Sequence, residues 1–370
     1  MILTLTLNPS LDRTIEIGSL RRGEVLRAAA VRVDPGGKGV NVTRALLANG
    51  VASRAVLPCG GDEGRHLVRL LQVEMVDVLT VEIVGHTRSN VTLAEPDGTV
   101  TKVNEPGPVL TPDEFEAIAT QMLTEATGAD WVVVSGSLPP GLSDVAFGHL
   151  CRRLRAAGLR VAVDTSGPPL RAAAEAGVAL VKPNREELSA VIGAPLATIP
   201  EVVAAARRLR SWGAGTVLVS LGADGALLVD ADGVARGECP VDRPRSSVGA
   251  GDALLAGFLA AGARGEAALA EALAWGAAAV SLPGSRMPEP HDIRRQRVTV
   301  TPVTHRPPPP STVRLDDDPS AGFTHPPAAA PIAGDRSDGA APAGIAPPPD
   351  GAPPPDRHSS ERDGGPVPQR

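Results

Sequence analysis

The sequence predicts an α/β protein: a three-layer α/β/α sandwich with a mainly parallel central sheet and a small β-sheet lid. Three observations predict it. Short, β-branched apolar runs alternate with segments of helical spacing between residues 131 and 222, the pattern of parallel strands joined by crossover helices. The helical segments stop at Gly158, Gly177 and Gly213, and glycine just past the last periodic residue is a helix-ending signal. Polar residues cluster where the strands end, at Ser135-Gly-Ser137, Asp164-Thr-Ser166, Lys182-Pro-Asn184 and Ser220-Leu-Gly222, and ligands of parallel sheets bind beyond the carboxyl ends of the strands.

In chain order, Met1-Ile-Leu-Thr-Leu-Thr-Leu lacks a charged leader and is soon broken by Asn8-Pro9, so it reads as a buried first strand rather than a signal peptide. Residues 13–20 and 25–35, and later 89–107 with the turn Pro96-Asp-Gly98, alternate more loosely and read as hairpin strands. They form the lid, from about 10–35 and 85–107. Its apolar positions Ile15, Ile17, Val91, Leu93, Val100 and Val103 exceed what one domain covers, which predicts a homodimer through the lid. "DPGGKGVNVTRALLANG" (34–50) is a glycine turn opening a helix. "WVVVSGS" (131–137), "RVAVDTS" (160–166), "ALVKPN" (179–184) and "TVLVSLG" (216–222) are strands buried on both faces. The helices between them cover 143–158, 168–177 and 199–213. "SSVGAGDALLAGFLAAG" (246–262) is a second glycine turn followed by an apolar helix.

Composition narrows the function. The net charge is −6 with no basic run, which argues against nucleic acid and anionic membranes as partners. No apolar run approaches a membrane-spanning length. Cys59, Cys151 and Cys239 are widely spaced without a metal-ligand pattern, as expected of free thiols in a reducing cytoplasm. Of the 37 prolines, 18 fall in residues 301–370. Residues 303–370 therefore read as a disordered, partly polyproline II tail, leaving 1–302 as the folded domain.

Three stretches carry chemistry. Gly36, Gly37 and Gly39 before a helix let backbone N–H groups approach an anion, and Lys38 adds a full charge; the spacing is not that of a Walker loop. Gly249-Ala-Gly251 also fails the dinucleotide fingerprint, since its third glycine position is Leu254, which removes a nicotinamide oxidoreductase. Asp252 follows at once. It is either a first-turn helix residue or a proton acceptor beside an oxyanion-hole-like cradle of N–H groups. Asn184 and Glu187, at i and i+3, close a capping box or hold a hydrated Mg²⁺ beside phosphates.

Taken together these motifs resemble the PfkB (ribokinase-like) sugar kinases from Met1 to about residue 300. Gly36-Gly-Lys-Gly-Val-Asn41, Val248-Gly-Ala-Gly-Asp252, Asn184-x-x-Glu187 and Ser220-Leu-Gly-Ala-Asp-Gly225 carry the resemblance. "TLTLNPSLDRTI", "VSGSLPPG" and "LVKPNREEL" carry a likeness to the phosphosugar branch, its 1-phosphofructokinases above all. The resemblance implies a ribokinase-like fold and transfer of phosphate from ATP, with Mg²⁺, to D-fructose 1-phosphate. Tagatose 6-phosphate and fructose 6-phosphate are the alternative acceptors, and a non-catalytic sugar-phosphate sensor the alternative class. It further implies Asp252 as base and Gly249, Ala250 and Gly251 as anion hole. Asp12, Gly37, Lys38, Gly39, Asn41, Arg88, Asn90 and Ser137 would bind the sugar phosphate. Lys182, Asn184, Glu187, Ser220, Gly222, Asp224 and Gly225 would serve ATP, with Asn184 and Glu187 reaching the metal through water. Ser246-Ser247 departs from the Asp/Ser-Thr that many relatives carry before the valine, which bears on any monovalent-cation site there.

Overall fold

The computed structural model describes residues 1–303; the predicted Pro/Ala-rich tail beyond Val303 lies outside them. β1 (Ile2–Leu5) is buried along its whole length; its one polar side chain, Thr4, shares a hydrogen bond with Thr43 at 2.7 Å. The chain leaves the main sheet at Asn8-Pro9 and starts a second, four-stranded one. There β2 (Ser10–Glu16) and β3 (Ala30–Gly36) pair antiparallel, and β3 leads into α1 (Lys38–Ala48). β2 begins three residues before the stretch read as strand, because Ser10 to Asp12 are paired on both sides, to β3 and to a parallel neighbour. β4 (Ser53–Cys59), α2 (Gly61–Val73) and β5 (Asp77–Glu82) return to the main sheet. β6 (Arg88–Ala94) and β7 (Val100–Asn104) complete the small sheet, β6 being the parallel neighbour of β2. Their turn falls at Pro96-Asp-Gly98, with the Gly98 N–H donating to the Glu95 carbonyl at 3.0 Å.

After α3 (Pro112–Glu125) the predicted alternation appears in full: β8 (Trp131–Ser135), α4 (Asp144–Ala156), β9 (Val161–Asp164), α5 (Pro168–Glu175), β10 (Leu180–Val181), α6 (Arg185–Ile192), α7 (Ile199–Ser211) and β11 (Thr216–Ser220). β10 is only two residues long. Pro183 has no N–H to continue a ladder, and Asn184 already caps the next helix. β12 (Ala226–Val229), β13 (Val234–Glu238), α8 (Ala250–Ala260), α9 (Gly265–Val280) and β14 (Thr299–Pro302) follow.

The main sheet runs in the order β14-β13-β12-β11-β10-β9-β8-β1-β4-β5. It is parallel from β11 to β5, while β12, β13 and β14 extend one edge antiparallel. One face packs α3 to α7 through Ile118, Met122, Phe147, Leu150, Val202 and Leu209. The other packs α1, α8 and α9 through Leu46, Leu255, Phe258, Leu269 and Trp275, with α2 beside them under the small sheet. α8 is buried on nearly every side, so its sequence, apolar but for Asp252, reflects enclosure between the sheet, α1 and α9. Burying a Leu or Phe fully is worth about 1.5–3 kcal/mol, and that packing makes the start of α8 a fixed platform.

Candidate active site

The carboxyl ends of β1, β8, β9, β10 and β11 open toward the small sheet, and the glycine turns before α1 and α8 arrive at the same place. Asn41, in the first turn of α1, donates through Nδ2 to Asp252 Oδ2 at 2.9 Å, although 211 residues separate them. The two glycine motifs thus form one site. Gly249 takes φ +76°, the left-handed region that side chains avoid, and α8 starts at Ala250. Its first N–H groups point out of the helix end; that of Ala250 reaches the Ser247 carbonyl only at 3.4 Å. Gly37 precedes α1 in the same way, and a Cβ on Gly39 would meet Thr6 Oγ1 at the end of β1 at 2.5 Å.

Asp252 does not cap α8. The N-cap is Gly249, and no side chain closes that end. Asp252 is 6% exposed, and the hydrogen bond that it accepts comes from Asn41. Burial pushes its carboxyl up to about 6, helped by the nearby Asp164 carboxylate. The Asn41 donor, Lys182 and Lys38 pull the other way.

Asp164, the last residue of β9, is wholly buried and stands between two lysines. Lys38 Nζ donates to Oδ1 at 2.8 Å, and Lys182 Nζ forms an ion pair with Oδ2 at 2.9 Å. Burial works to raise the Asp164 carboxyl, but Lys182 and Lys38 together hold it below the usual range. Burial likewise works to lower the Lys38 ammonium, yet Asp164 and Glu187 leave it above its ordinary value; Nζ also donates to Glu187 Oε1 at 3.2 Å. A Cβ on Gly251 would lie 3.3 Å from Lys182 Nζ, which puts that buried ammonium against the start of α8. The strand-end pattern marked Asp164 as polar and well placed, but gave it no partner and no role.

Asn184 and Glu187 form the capping box: Asn184 Oδ1 accepts from the Glu187 N–H at 2.7 Å, and Glu187 Oε2 from the Asn184 N–H at 2.9 Å. The box commits the Asn184 oxygen and one Glu187 oxygen to the helix end. Among the described residues, no group of three or more His, Cys, Asp or Glu could cage a metal. The residues do fit a hydrated Mg²⁺, which needs only one or two carboxylates beside phosphates; the Glu187 carboxylate faces the site through its contact with Lys38. Asn184 and Ser220 are bridged backbone to backbone. Gly222 and Asp224 form a short 3₁₀ turn before Gly225, and Asp224 pairs with Arg185 at 2.8 Å.

On the side of the small sheet, Asp12 Oδ1 accepts from Ser10 Oγ at 2.7 Å and Asn90 Nδ2 at 2.9 Å. Arg88 donates from Nη1 to the Glu105 carbonyl at 3.0 Å, and from Nη2 to the Asn8 carbonyl at 3.1 Å and Ser137 Oγ at 3.3 Å. Burial lowers the Arg88 guanidinium, with Asp12 and Glu105 opposing. Asn8, read from sequence only as a strand break, belongs here: Nδ2 donates to the Pro106 carbonyl at 3.0 Å. A cavity of about 580 Å³ opens beside these groups, lined by Asn8, Arg88, Ser137, Pro140 and Asp144 among others. Asn8 Oδ1, Arg88 Nε, Asn90 Oδ1 and Ser135 Oγ are buried without a partner, where buried polar atoms are ordinarily paired. Lys38 and Arg88 belong to different groups. Lys38 is held by Asp164 and Glu187, and Arg88 by Asn8, Glu105 and Ser137. Asn41, implied by the resemblance to bind the sugar, gives its NH₂ to Asp252 in this structure.

Residues 5–292 match the model of the pfkB family carbohydrate kinases. The 1-phosphofructokinase of Rhodobacter capsulatus is 38% identical over 310 residues, 81% of this chain and 96% of that protein. The ATP-dependent 6-phosphofructokinase isozyme 2 of Escherichia coli (strain K12) is 39% identical over 283 residues, 76% of this chain and 91% of that protein. The crystal structure of Escherichia coli phosphofructokinase-2 in complex with potassium superposes with a TM-score of 0.75 at 37% identity, covering 80% of this chain and 96% of that one. The three layers and the added small sheet are therefore a ribokinase-like fold. With both glycine motifs brought to one site and the family pattern spanning nearly all of the described residues, the chain belongs to the pfkB family of carbohydrate kinases.

Proposed function

We propose that the protein transfers the γ-phosphoryl group of ATP to D-fructose 1-phosphate, giving fructose 1,6-bisphosphate and ADP. The observation that carries this reading is the buried Asp252 carboxylate at the open end of α8, oriented by Asn41 from the other glycine motif. Asp252 takes the proton from the attacking sugar hydroxyl. The N–H groups of Gly249, Ala250 and Gly251, with Lys182 beside them, receive the charge of the transferred phosphoryl group. Positioning and charge neutralisation carry such a transfer, with little covalent work for the protein. A hydrated Mg²⁺ would supply neutralisation of phosphate charge here, and Glu187 is the carboxylate that would hold one of its waters. Lys182, Asn184 and the turn of Ser220, Gly222, Asp224 and Gly225 form the ATP side. Asp12, Asn90, Gly37, Gly39, Arg88, Ser137 and Asn8 form the acceptor side, whose unpartnered buried atoms a phosphosugar would satisfy. Lys38 stands between the two, tied to Asp164 and Glu187.

Fructose 6-phosphate is the second reading, favoured by the name and the 39% identity of the Escherichia coli relative. Apolar side chains on the small sheet remain exposed, Val31 at 55%, Val100 at 51% and Val103 at 60%, and a second copy of the chain would cover them. The three cysteines are free, in keeping with action in a reducing cytoplasm. ADP release, measured with fructose 1-phosphate, fructose 6-phosphate, tagatose 6-phosphate and fructose, tests the proposal. The highest kcat/KM belongs to fructose 1-phosphate. A preference for fructose 6-phosphate moves the assignment to the second reading, and no ADP release with any acceptor leaves a sensor.

A further inference from the structure

We infer that Arg44 is a positioning residue for the proton acceptor, fixing the Asn41 amide so that its NH₂ group faces Asp252. The inference rests on the reading of Asp252 as the base. Arg44 lies three residues after Asn41 on the same face of α1 and is 8% exposed. So buried an arginine needs partners on every side. It has them: Nε and Nη2 grip the Glu74 carboxylate at 2.5 and 2.8 Å, and Nη1 donates to the Ser285 carbonyl at 3.2 Å. The same Nη1 donates to Asn41 Oδ1 at 3.3 Å.

That last contact has a chemical consequence. The two ends of an amide have nearly the same shape but opposite polarity, and a guanidinium only donates. Arg44 therefore donates to the oxygen end of Asn41 and repels the NH₂ end. Asn41 is left as a donor toward Asp252, where it favours the carboxylate over the acid. Without Arg44 the amide is free to turn and accept from protonated Asp252, so that the acid is favoured instead. The other charged groups that bear on Asp252 are Asp164 at the end of β9, Lys182 just after β10 and Lys38 in α1. None of them touches Arg44, so its removal leaves them in place. Arg44 meets no reacting group and works only through Asn41.

The test is the pH profile of kcat/KM with saturating MgATP. Arg44→Met should move the acidic limb upward by about one pH unit, the effect of one lost donor to a carboxylate. Arg44→Lys keeps the charge for Glu74, the stronger acceptor, but loses the fork that reaches Asn41; its limb moves up as well, with a melting temperature near that of the wild type. Glu74→Gln loosens the tie between α1 and α2, so it lowers the melting temperature without raising the limb. In an Asn41→Ala background, Arg44→Met adds no further shift, because partners in one chain of contacts are not additive. A limb that stays with the wild type in whichever Arg44 variant folds, or an equal rise in Glu74→Gln, overturns the inference. Asp252→Asn separates the two levels. If it retains turnover, the base assignment itself fails; if it is inactive while the Arg44 limbs stay put, only the positioning role fails.

Discussion

Asp252→Asn should abolish turnover and at the same time stabilise the fold at neutral pH. The isosteric amide keeps an oxygen for Asn41 Nδ2 (2.9 Å in the wild type) and leaves the Gly249 start of α8 untouched. Turnover falls by about 10²–10⁴, the usual effect of losing a general base. Stability moves the other way because burial raises the folded-state carboxyl to about 6, above the ~3.9 of an unfolded chain. At pH 8 the ionised Asp252 costs roughly 3 kcal/mol of stability, one pKa unit being worth about 1.4 kcal/mol. The lost attraction to the helix end returns about 0.5–1 kcal/mol of that. The net gain of about 2 kcal/mol raises the Tm by about 3 °C in a domain of this size. The sign depends on pH. The cost is fully present above the folded value, shrinks as pH falls from about 6 toward about 4, and vanishes below the unfolded value. Thermal unfolding at pH 8 and pH 4, with ADP release at pH 8, reads both effects. A variant that melts lower than the wild type at both pH values, or that keeps more than about a tenth of wild-type kcat, would refute the reasoning.

Arg88→Ala should raise KM for fructose 1-phosphate by about tenfold or more, the loss expected for a charge-assisted contact, while KM for ATP stays put; equal losses with unphosphorylated fructose would assign Arg88 to the small sheet instead. Asp164→Asn leaves Lys182 buried and unpaired, which costs about 3–5 kcal/mol and about 5–8 °C in Tm. Since Asp164 is held below the usual carboxyl range, the stability that it lends is present above pH ~4 and lost as the pH falls further, so the deficit of the variant narrows in acid; a constant deficit down to pH 3 contradicts the ion-pair account. Ending the chain after Val303, whose N–H donates to the Val234 carbonyl at 2.7 Å, should leave kcat and Tm unchanged, and a large fall in either would show a packed element farther along. Light scattering at micromolar concentration should give twice the chain mass, and Val103→Glu on the exposed small-sheet face should halve it.

The parallel strands and their helices were legible because period and punctuation agree: β8 and β9 are buried throughout, as short valine-rich runs bounded by turn residues imply. Boundaries were less so. Pro183 cuts β10 to two residues, and the pairing of β2 on both sides starts it at Ser10; neither neighbour is visible in a local window. In the site, the glycine turns announce themselves because few other sequences permit those backbones. Asp164 does not. One acid after "VAV" looks like any strand end, and only the fold brings Lys38 and Lys182 to its two oxygens. Arg44 looks like a solvent-facing helix residue until Glu74 and Ser285 close over it. Asn184 and Glu187 showed the opposite ambiguity, since a capping box and a metal-facing pair share one spacing; the box is present, and it leaves Glu187 facing the site.

The 211-residue separation of Asn41 and Asp252 also decides when a newly made chain becomes competent. β1 needs β8 as well as β4 to take its central place, and α8 is among the last described elements to be synthesised. Contacts between distant parts of a chain form slowly, because the loop must close before they repay its entropy. Every strand from β1 to β13 is made while Asp252 is still missing. Catalysis should therefore return no earlier than the burial of Trp275, which packs from α9 against α8, during refolding, and a nascent chain released before residue 246 should be inert.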